Sequence, residues 1–491
     1  MRLGELLRRV PQARLQGDPS LPVTEVAYDS RRISPGGLFV AIRGAVTDGN
    51  RFVDAARKKG AVAVVSEASP DGGGPWAQVP DAREALALLS AAALGDPAES
   101  LRLVGVTGTN GKTTTTYLID AALRAAGHTV GLIGTVQYRI GARLVEASRT
   151  TPESSDLQGL FRQMVDEGCT EAVMEVSSHS LELKRVHGCR FQVAVFTNLT
   201  RDHLDFHGDM ERYFAAKRRL FDTYLREDGH AVVNADDDRA MALASVSRGQ
   251  VWTYGIEGSA HVSASGISLS LKGTRFRART PRGEFDVETP LIGRFNVENF
   301  LAGLTAALAL GVDPAVALRG LLTMTGVPGR AERVNAGQDF AVIVDYAHTD
   351  DALKNLLETV RELKPRRLIT VFGCGGDRDR TKRPLMGAVA ARLSDVVVVT
   401  SDNPRSEPPE AIIEEIQRGM NGSRRGERYA IVDRREAIAR ALEMAGPGDA
   451  VVIAGKGHET YQVLRDRTVP FDDRQVAREL LAGLSLRGRK A

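Results

Sequence analysis

The order of apolar and polar positions along the chain predicts an α/β protein. Short apolar runs flanked by turn residues alternate with longer segments in which apolar residues recur at helical spacing. In residues 1–99 this pattern predicts a small α/β module. Its strands are predicted at Val23–Tyr28, Gly37–Ile42 and Ala61–Val65, with a helix at Phe52–Lys59.

The middle of the chain, residues 100–332, repeats the alternation at greater length, which is typical of a mostly parallel sheet covered by helices. The predicted strands are Leu101–Val106, Val130–Thr135, Glu171–Val176, Val193–Leu199 and Ala231–Asn234. The predicted helices are Lys112–Ala126, Asp156–Glu167, Met210–Leu225 and a long helix from Gly293 to Leu310. Residues 260–290 alternate one by one and predict appended antiparallel strands.

From residue 333 to 491 the alternation begins again and predicts a Rossmann-like open sheet domain. The helical pattern ends at Pro328–Arg333, where we expect a hinge. The predicted strands are Ala341–Tyr346, Leu368–Gly373, Asp395–Ser401, Tyr429–Val432 and Ala450–Ala454. The pattern thus divides the chain into three domains, at 1–99, 100–332 and 333–491.

One glycine-rich turn, Gly108-Thr109-Asn110-Gly111-Lys112-Thr113-Thr114, lies between a predicted strand and a predicted helix. Gly108 and Gly111 allow backbone N–H groups to turn toward an anion, and Lys112 supplies a positive charge. The hydroxyl of Thr113 suits a magnesium ion bound to phosphates. Val106 stands where the general phosphate-loop pattern has its first glycine, so this loop is a variant. The predicted ligand is ATP or GTP.

Polar clusters follow the next strands of the same predicted sheet, at Glu175–His179 and Asn198–Asp205. Ligands gather at the carboxyl ends of parallel strands, so we expect a metal and substrate site there. Glu175 offers hard oxygen ligands for magnesium, together with Thr113. His203, beside Asp202 and Asp205, is a candidate for a second metal site.

From their spacing alone, other polar residues fit ordinary structural roles as well as functional ones. Lys217 lies with Arg218 and Arg219 in a predicted helix, which favours a solvated basic face. Asn296 is either a helix N-cap or a nucleotide contact. The loops Asp29–Arg32 and Arg43–Gly44 are predicted to be turns, because Asp, Ser and Gly are common turn residues.

The last domain has four polar clusters at predicted strand ends, too many to attribute to turns. We expect them on one edge, facing the nucleotide domain across a cleft. They are Asp345–His348, Gly373–Asp379, Asp402–Arg405 and Gly455–Glu459.

Composition narrows the function classes. At 491 residues the chain is too long for one core and fits roughly three domains. A net charge of +3 with 5% aromatic residues argues against a general nucleic-acid binder. The 3 cysteines, Cys169, Cys189 and Cys374, have no metal-like spacing and predict free thiols. We find no signal-peptide pattern and no apolar run long enough to span a membrane, so we expect a cytoplasmic protein without membrane insertion.

In their order and combination, these motifs identify a resemblance to the Mur ligases across essentially the whole chain. The motifs that carry it are the phosphate loop, Glu175–His179, Thr197–Asp205, Asp345–His348 and Gly455–Glu459. The resemblance implies that the first domain holds UDP, the middle domain ATP and the last domain an amino acid. It implies the cofactor Mg2+, ATP as co-substrate, a role in peptidoglycan precursor synthesis and, we expect, a monomer.

The resemblance also assigns residues to roles, and it replaces the solvated-face interpretation of Lys217 with a carbamylated lysine. The implied catalytic residues are Lys112, Glu175, His203, Lys217 and His348. The implied ATP-binding residues are Gly108, Thr109, Asn110, Gly111, Lys112, Thr113, Thr114, Asn296, Arg330 and Asp345. The implied metal ligands are Thr113, Glu175, His203 and Lys217 as its carbamate. The implied contacts of the UDP-linked substrate are Ser30, Gly44, Thr150, Thr151, Ser177 and Arg185. The family usually has a polar residue two positions before that arginine, where this chain has Leu183.

The implied reaction is ATP-driven amide synthesis on UDP-MurNAc-L-Ala-D-Glu, through an acyl phosphate that an amino group displaces. Family members that add meso-diaminopimelate carry Asp-Asn-Pro-Arg, which is Asp402–Arg405 here. Arg405 can bind the distal carboxylate in a bidentate manner, and Asp402 and Glu459 can accept from the distal ammonium. The implied amino-acid site consists of Arg378, Asp402, Asn403, Arg405, Gly455 and Glu459.

Two alternatives remain at this stage. The same ligase could add L-lysine or L-ornithine, which lack a distal carboxylate. A phosphate-loop motor or switch would hydrolyse nucleotide without an amino-acid acceptor. A nucleotide-binding module without catalytic activity would not require the acidic and histidine clusters.

Overall fold

A computed structural model describes residues 1–44, 47–421 and 426–488 of the chain. The residues directly after Gly44, and the last three of the predicted domain 333–491, lie outside this range. The chain divides into two compact units. The first comprises Met1–Ser263, Arg279–Gly283 and Glu298–Thr323, and the second comprises Ala264–Ala278, Glu284–Val297 and Met324–Ala491. The division into three domains at 99/100 and 332/333 stays a prediction.

The first unit begins with a small five-stranded sheet. Its order is β1-β5-β4-β3-β2, with only β1 antiparallel to its neighbour. The strands are β1 (Arg14–Gln16), β2 (Val26–Ala27), β3 (Leu38–Val40), β4 (Ala63–Ser66) and β5 (Trp76–Gln78). The helices are α1 (Leu3–Leu7), α2 (Val53–Lys58) and α3 (Ala82–Ala93), with 3-10 turns at Gly49–Phe52 and Pro97–Ser100.

The predicted strand Val23–Tyr28 is shortened to two residues, because the backbone N–H groups of its first residues form hydrogen bonds outside the ladder with β3. Val23 N donates to Met1 O at 2.8 Å and Thr24 N donates to Gly36 O at 3.0 Å. The strand β1 and the helix α3 were not predicted. Leu86 and Leu89 of α3 are buried in the core of this sheet.

The large sheet of the first unit is mostly parallel, as predicted. Its strands are β6 (Arg102–Thr107), β7 (Val130–Ile133), β8 (Gln137–Ile140), β9 (Arg143–Glu146), β10 (Glu171–Glu175), β11 (Phe191–Phe196), β12 (Leu225–Asn234) and β13 (Gln250–Gly255). They run in the order β13-β12-β11-β6-β10-β7-β8-β9. Pairing is parallel from β13 to β7, and the unpredicted hairpin β8–β9 adds antiparallel strands at one edge.

Helices cover this sheet. They are α4 (Lys112–Ala125), α5 (Ser154–Asp166), α6 (Ser178–Glu182), α7 (Leu204–His207), α8 (Met210–Asp222), α9 (Ala240–Val246), α10 (Arg294–Ala309) and α11 (Pro314–Leu322). Because α10 begins at Arg294, Asn296 lies inside its first turn, and the N-cap interpretation of Asn296 is wrong.

Strand register brings the predicted clusters to one edge of the large sheet. Glu175 of β10 pairs with Val106 of β6, and Phe196 of β11 pairs with Thr107. The segments that follow these three strands are the glycine-rich turn, residues 176–179 and residues 197–205. They therefore emerge side by side at the carboxyl ends of neighbouring parallel strands.

The strands between residues 262 and 289 are β14 (Val262–Ser270), β15 (Gly273–Thr280) and β16 (Gly283–Thr289). The ion pairs Arg275–Glu288 and Arg277–Asp286 join β15 to β16 in antiparallel sense, as predicted. The prediction is wrong for β14, which pairs with β13 in parallel.

The second unit contains an open six-stranded sheet in the order β17-β18-β22-β19-β20-β21. Its strands are β17 (Glu332–Arg333), β18 (Ala341–Asp345), β19 (Leu368–Phe372), β20 (Val396–Val399), β21 (Glu427–Ala430) and β22 (Ala450–Ala454), followed by the hairpin β23 (Tyr461–Val463) and β24 (Thr468–Pro470). All pairs of the six-stranded sheet are parallel except β17–β18. Its helices are α12 (Asp350–Glu362), α13 (Lys382–Leu393), α14 (Pro409–Met420), α15 (Arg434–Met444) and α16 (Asp473–Gly488).

Register again aligns strand ends in this sheet. Ala454 of β22 pairs with both Asp345 of β18 and Phe372 of β19, and Phe372 pairs with Val399 of β20. The four polar clusters predicted from the sequence therefore leave one edge of the second sheet. Among the helices of the described ranges, none is both long and apolar enough to cross a membrane.

Candidate active site

The glycine-rich turn leads directly into the N-terminus of α4. Gly111 is the N-cap residue with φ of 84°, and Gly108 has φ of 150°, both conformations that a side chain disfavours. A Cβ on Gly108 would overlap Thr197 Oγ1, and one on Gly111 would overlap Asn299 Oδ1. An anion can therefore approach the first turn of α4, which contains Thr113 and Thr114, at close range.

The segment after β11 clamps this turn. Thr197 Oγ1 donates to Asn110 O at 2.6 Å, and Asn110 N donates to Asn198 Oδ1 at 2.9 Å. Thr109 Oγ1 lies 3.1 Å from Thr200 O and 3.1 Å from the hydroxyl of Tyr213. The backbone of Asn110 and the hydroxyl of Thr109, two predicted ATP-binding residues, are thus held by neighbouring segments, and these bonds fix the shape of the loop.

Two lysines converge on the carbonyl oxygen of Gly108. Lys112 Nζ donates to Gly108 O at 2.9 Å and to Thr109 O at 2.7 Å. Lys217 Nζ donates to Gly108 O at 2.8 Å and lies 4.4 Å from the ring centre of Tyr213. Lys217 is 1% exposed. Burial, and then the charge of Lys112, hold the pKa of Lys217 well below its ordinary value.

The buried position of Lys217 overturns the solvated-face interpretation drawn from spacing. Its helix neighbours three and four positions away are all buried, namely Tyr213, Phe214, Leu220 and Phe221. Residues at this spacing share one face of a helix. Lys217 therefore lies in the centre of the apolar face of α8, and this periodicity was the signal that could have predicted it.

Glu175 is held in one orientation at the end of β10. Its Oε1 accepts from Thr135 N at 2.7 Å, and its Oε2 accepts from Thr135 Oγ1 at 3.2 Å. Thr135 Oγ1 lies 2.9 Å from Thr150 Oγ1, and Thr151 Oγ1 donates to Glu175 O at 2.9 Å. The structure therefore brings together predicted catalytic and substrate residues through Thr135, which sequence reasoning missed although it follows strand β7.

A histidine cluster lies beside the same edge. His203 is exposed, and its ring centre is 4.7 Å from that of His179. His207 Nε2 lies 3.0 Å from Ser178 Oγ. Burial, together with the neighbouring His203 and His207, lowers the pKa of His179 to about 4. His179 was part of a predicted cluster but had no predicted role.

The donor chemistry near the turn suits a magnesium ion. Thr113 offers a buried hydroxyl and Glu175 a buried, oriented carboxylate, and both are hard oxygen ligands. A lysine nitrogen does not suit magnesium, whereas the carbamate of Lys217 would supply oxygen. Within the described parts of the chain, no group of three or more His, Cys, Asp or Glu residues could hold a metal ion. In the described residues, His203, Asp202 and Asp205 are therefore not arranged as a preformed set of metal ligands.

The predicted substrate residues form a connected group around Thr151. Arg185 Nη1 donates to Thr151 O at 3.1 Å, and Ser177 N donates to Thr151 Oγ1 at 3.2 Å. The carboxylate of Glu153 pairs with Arg185 and with Arg83 of α3, both at 3.3 Å. Arg149 lies 3.8 Å from the same carboxylate, so three arginines surround it and leave an excess of positive charge, which suits an anionic substrate.

The structure does not bring Ser30 and Gly44 into contact with that group. Ser30 is buried and follows Asp29, which lines a cavity of about 120 Å³ with Tyr28 and Arg32. Gly44 is exposed. Leu183 ends helix α6, and nothing in the structure explains why it replaces a polar residue.

In the second unit, the segment after β18 carries a group of rings and charges. Asp345 accepts from Ala331 N at 2.6 Å and from Ala347 N at 2.8 Å. Burial raises the pKa of Asp345. The guanidinium of Arg330 lies 5.0 Å from the ring centre of Tyr346. Asp345 thus ties the segment of Arg330 to the end of β18.

His348 and Asn296 lie in different surroundings. His348 is exposed, and its Nδ1 lies 2.9 Å from Tyr346 O. Asn296 is 4% exposed, and its side-chain amide donates to Ile292 O at 2.9 Å. Their predicted roles toward nucleotide and substrate remain predictions.

Arg378 and Arg405 flank the same glycine after β19. A Cβ on Gly375 would lie 2.9 Å from Arg405 Nη1 and 3.8 Å from Arg378 Cγ. Arg405 Nη1 donates to Gly376 O at 2.8 Å. Arg378 is exposed and Arg405 half-buried. At this glycine Arg405 therefore presents its guanidinium and Arg378 the stem of its side chain, and arginine is the residue type that binds a carboxylate in a bidentate manner.

The other predicted amino-acid residues meet around Lys456, which was part of a predicted cluster but had no predicted role. Lys456 is completely buried, and its Nζ donates to Glu459 Oε2 at 3.0 Å and to Asn403 Oδ1 at 3.2 Å. Asn403 Nδ2 also donates to Glu459 Oε2 at 2.9 Å. Gly455 has φ of 115°, and a Cβ there would lie 2.7 Å from Asp402 Oδ2. Glu459 is therefore held by Lys456 and Asn403, and Asp402 lies beside Gly455.

The chain is similar to known proteins over nearly its whole length. Family profiles described as "Mur ligase family, catalytic domain", "Mur ligase middle domain" and "Mur ligase, glutamate ligase domain" match residues 22–93, 106–307 and 329–457. The chain is 52% identical over 491 residues to the UDP-N-acetylmuramoyl-L-alanyl-D-glutamate–2,6-diaminopimelate ligase of Solibacter usitatus, covering 98% of this chain and 99% of that one. It is 48% identical over 486 residues to the enzyme of the same name from Syntrophomonas wolfei, covering 98% and 99%.

Among solved structures, one of a UDP-N-acetylmuramoyl-L-alanyl-D-glutamate–2,6-diaminopimelate ligase matches with a TM-score of 0.72 and 35% identity, covering 99% of both chains. The similarity thus extends over both units and over every motif of the site. The chain belongs to the Mur ligase family.

Proposed function

We propose that the protein is an ATP-dependent ligase that joins meso-diaminopimelate to the D-Glu carboxylate of UDP-MurNAc-L-Ala-D-Glu. The observation that carries this proposal is that Arg378 and Arg405 both lie beside Gly375, close to Asn403, whose side chain binds the carboxylate of Glu459. Such a site fits an amino acid with a carboxylate and an ammonium at its distal end. Relatives named for this reaction, at 52% and 48% identity, support the same choice.

The first step is phosphoryl transfer to the carboxylate. A carboxylate oxygen attacks the γ-phosphorus of ATP, the bond to the bridging oxygen breaks, and ADP leaves. Two anions must approach each other, so positive charge has to be present before the reaction starts. Lys112 and the N-terminal N–H groups of α4 supply it at the phosphates, and Arg185 supplies it near Thr151.

Magnesium fits the oxygen donors of Thr113 and Glu175 and a carbamate on Lys217. When bound, it would neutralise charge on the phosphates and the attacking carboxylate. Two features of the chain support this arrangement. Thr135 binds both oxygens of Glu175, and burial lowers the pKa of Lys217, which favours its neutral amine.

The second step forms the amide. The amino group of the incoming amino acid attacks the acyl carbon, the carbon–oxygen bond to phosphate breaks, and phosphate and a proton leave. Arg405 and Arg378 bind the distal carboxylate, while Asp402 and Glu459 accept hydrogen bonds from the distal ammonium. Lysine or ornithine would leave both arginines without a carboxylate partner, which is why we favour diaminopimelate.

The setting of the reaction follows from its substrates. We infer a cytoplasmic, monomeric enzyme of peptidoglycan precursor synthesis, dependent on Mg2+. The three cysteines are free and buried, which fits a reducing compartment.

The experiment is phosphate release from ATP in the presence of UDP-MurNAc-L-Ala-D-Glu, with meso-diaminopimelate, L-lysine or L-ornithine added separately. Release only with diaminopimelate is the expected result. Release only with lysine or ornithine would keep the ligase and reject the assignment of Arg405. Release without any acceptor would favour a nucleotide-hydrolysing motor or switch.

A further inference from the structure

A network of four charged side chains lies beside the loops that carry Arg378 and Arg405. Its centre is Arg383 of α13, whose side chain has no exposed surface. Arg383 Nη1 donates to Glu415 Oε2 at 2.8 Å and to Glu407 Oε2 at 2.9 Å. Arg383 Nη2 donates to Glu407 Oε1 at 2.8 Å and to Gly375 O at 3.2 Å. Arg380 completes the network by pairing with Glu415.

Through Glu407, this network joins two loops that are distant in sequence. Glu407 Oε1 also accepts from Asp377 N at 2.6 Å. Asp377 in turn accepts from Ser406 Oγ at 2.6 Å and from Ser406 N at 3.2 Å. The loop of residues 375–378 and the loop of residues 403–407 are therefore cross-linked from both sides.

The backbone at the two arginines is unusual and needs such support. Asp377, next to Arg378, has φ of 53°, and Arg405 has φ of 51°. Residues other than glycine rarely adopt this left-handed conformation unless their surroundings enforce it. The cross-links from Glu407 and Ser406 enforce it at these positions.

Arg383 reaches Arg405 through the backbone of Gly375. Arg383 binds Gly375 O, and Arg405 Nη1 packs against Gly375 and donates to the next carbonyl, Gly376 O. A displacement of this glycine pair therefore moves the guanidinium of Arg405.

The network also leaves the positive charges of Arg378 and Arg405 available to a ligand. Arg380 and Arg383 are matched by Glu407 and Glu415, so this group is neutral as a whole. Neither carboxylate neutralises Arg378 or Arg405. Because a buried ion pair stabilises a fold little compared with apolar packing, its value here lies in fixing geometry.

We propose that Arg383 is a positioning residue of the amino-acid site, which sets the separation of Arg378 and Arg405 and thereby the selectivity for a distal carboxylate. This inference rests on the proposed ligase function. Arg383 does not touch the substrate and acts through Gly375 and Glu407.

The test compares Arg383→Lys, Arg383→Met and Glu407→Gln with the matched control Arg380→Gln, which removes a charge of the same network without touching either loop. For each variant, kcat and the KM values for meso-diaminopimelate, ATP and the UDP-linked substrate are measured, together with the melting temperature. We expect Arg383→Met to raise the KM for diaminopimelate at least tenfold while the other KM values change less than twofold. Arg383→Lys and Glu407→Gln should show a smaller rise, and Arg380→Gln should resemble the wild type.

A double variant separates positioning from general destabilisation. If Arg383 acts through Arg405, its effect largely disappears in an Arg405→Lys background, because that background has already lost the bidentate contact. The inference would be overturned if the fold-changes in the KM for diaminopimelate of the two single variants simply multiplied in the double variant. An unchanged KM for diaminopimelate in Arg383→Lys and Glu407→Gln would also overturn it. A wild-type protein that uses none of the three amino acids would instead overturn the proposed function.

Discussion

Lys217 Nζ lies 2.8 Å from the carbonyl oxygen of Gly108, an oxygen that also accepts a hydrogen bond from Lys112. A completely enclosed lysine beside a second lysine is disfavoured as an ammonium. Its neutral amine is the form that reacts with carbon dioxide to give a carbamate. Burial of Lys217 therefore favours the form of this side chain that the proposed carbamylation requires.

Replacement of Lys217 tests this change. Lys217→Met keeps the apolar stem but cannot form a carbamate, and we expect ligase activity to fall by about a hundredfold or more. With carbon-13-labelled bicarbonate, the wild type should show a carbamate resonance that is missing in the variant. A wild-type spectrum without that resonance, at full activity, would contradict the assignment.

The sequence predicted the strands that surround these sites better than the contacts inside them. Strand β22 has the predicted bounds, Ala450–Ala454, because a wholly apolar run between turn residues leaves little choice. The contacts of three residues escaped prediction because their partners are distant in sequence. Lys456 reaches Asn403, Arg383 reaches Glu407 and Gly375, and Arg434 reaches Asp473.

The case of Lys217 differs, since its position on α8 could have been predicted. Three consecutive basic residues favoured a solvated face, but the apolar residues three and four positions away indicated burial. Local charge was given more weight than helical periodicity. The family resemblance corrected the interpretation before the structure gave its physical reason.

Arg405 should determine which amino acid is accepted. Arg405→Ala removes a charge-assisted contact to the distal carboxylate, which corresponds to a rise of about ten- to a hundredfold in the KM for diaminopimelate. Lysine, which cannot use that contact, should be affected far less. Steady-state kinetics with both amino acids measures the ratio, and an unchanged selectivity in the variant would refute the role of Arg405.

Removal of one partner of the buried ion pair Arg434–Asp473 should destabilise the second unit. Both side chains are fully enclosed at 2.7 Å, and Arg434 also donates to Ser401 O at 3.2 Å and Ala454 O at 3.0 Å. Arg434→Met leaves the carboxylate buried without its partner, and we expect a loss of about 3–5 kcal/mol in the free energy of unfolding.

Denaturant titration provides the measurement for that pair. The double variant Arg434→Met with Asp473→Leu should recover much of the loss, because no unpaired charge remains buried. The exposed pair Arg275–Glu288 is the control, and Arg275→Ala should leave unfolding unchanged. The prediction is wrong if Arg434→Met is as stable as the wild type.

The histidine cluster predicts a pH dependence of stability. The pKa of His179 is about 4 in the folded chain, against 6.5 for an unperturbed histidine. Between these values the unfolded chain binds a proton that the folded chain does not, so the free energy of unfolding falls as pH falls from 6.5 to 4. His179→Asn should show a shallower fall, while part remains because burial also lowers the pKa of His207. Equal slopes in both proteins would contradict this account of the cluster.

The central claim is that a carboxylate of the UDP-linked substrate is phosphorylated and then captured by an amino acid. It is tested most directly with oxygen-18 in the D-Glu carboxylate of UDP-MurNAc-L-Ala-D-Glu, followed by mass analysis of the products. The account predicts that, with ATP and meso-diaminopimelate, one labelled oxygen passes to each phosphate as one amide forms. Unlabelled phosphate, or phosphate released at the same rate without the amino acid, would contradict it.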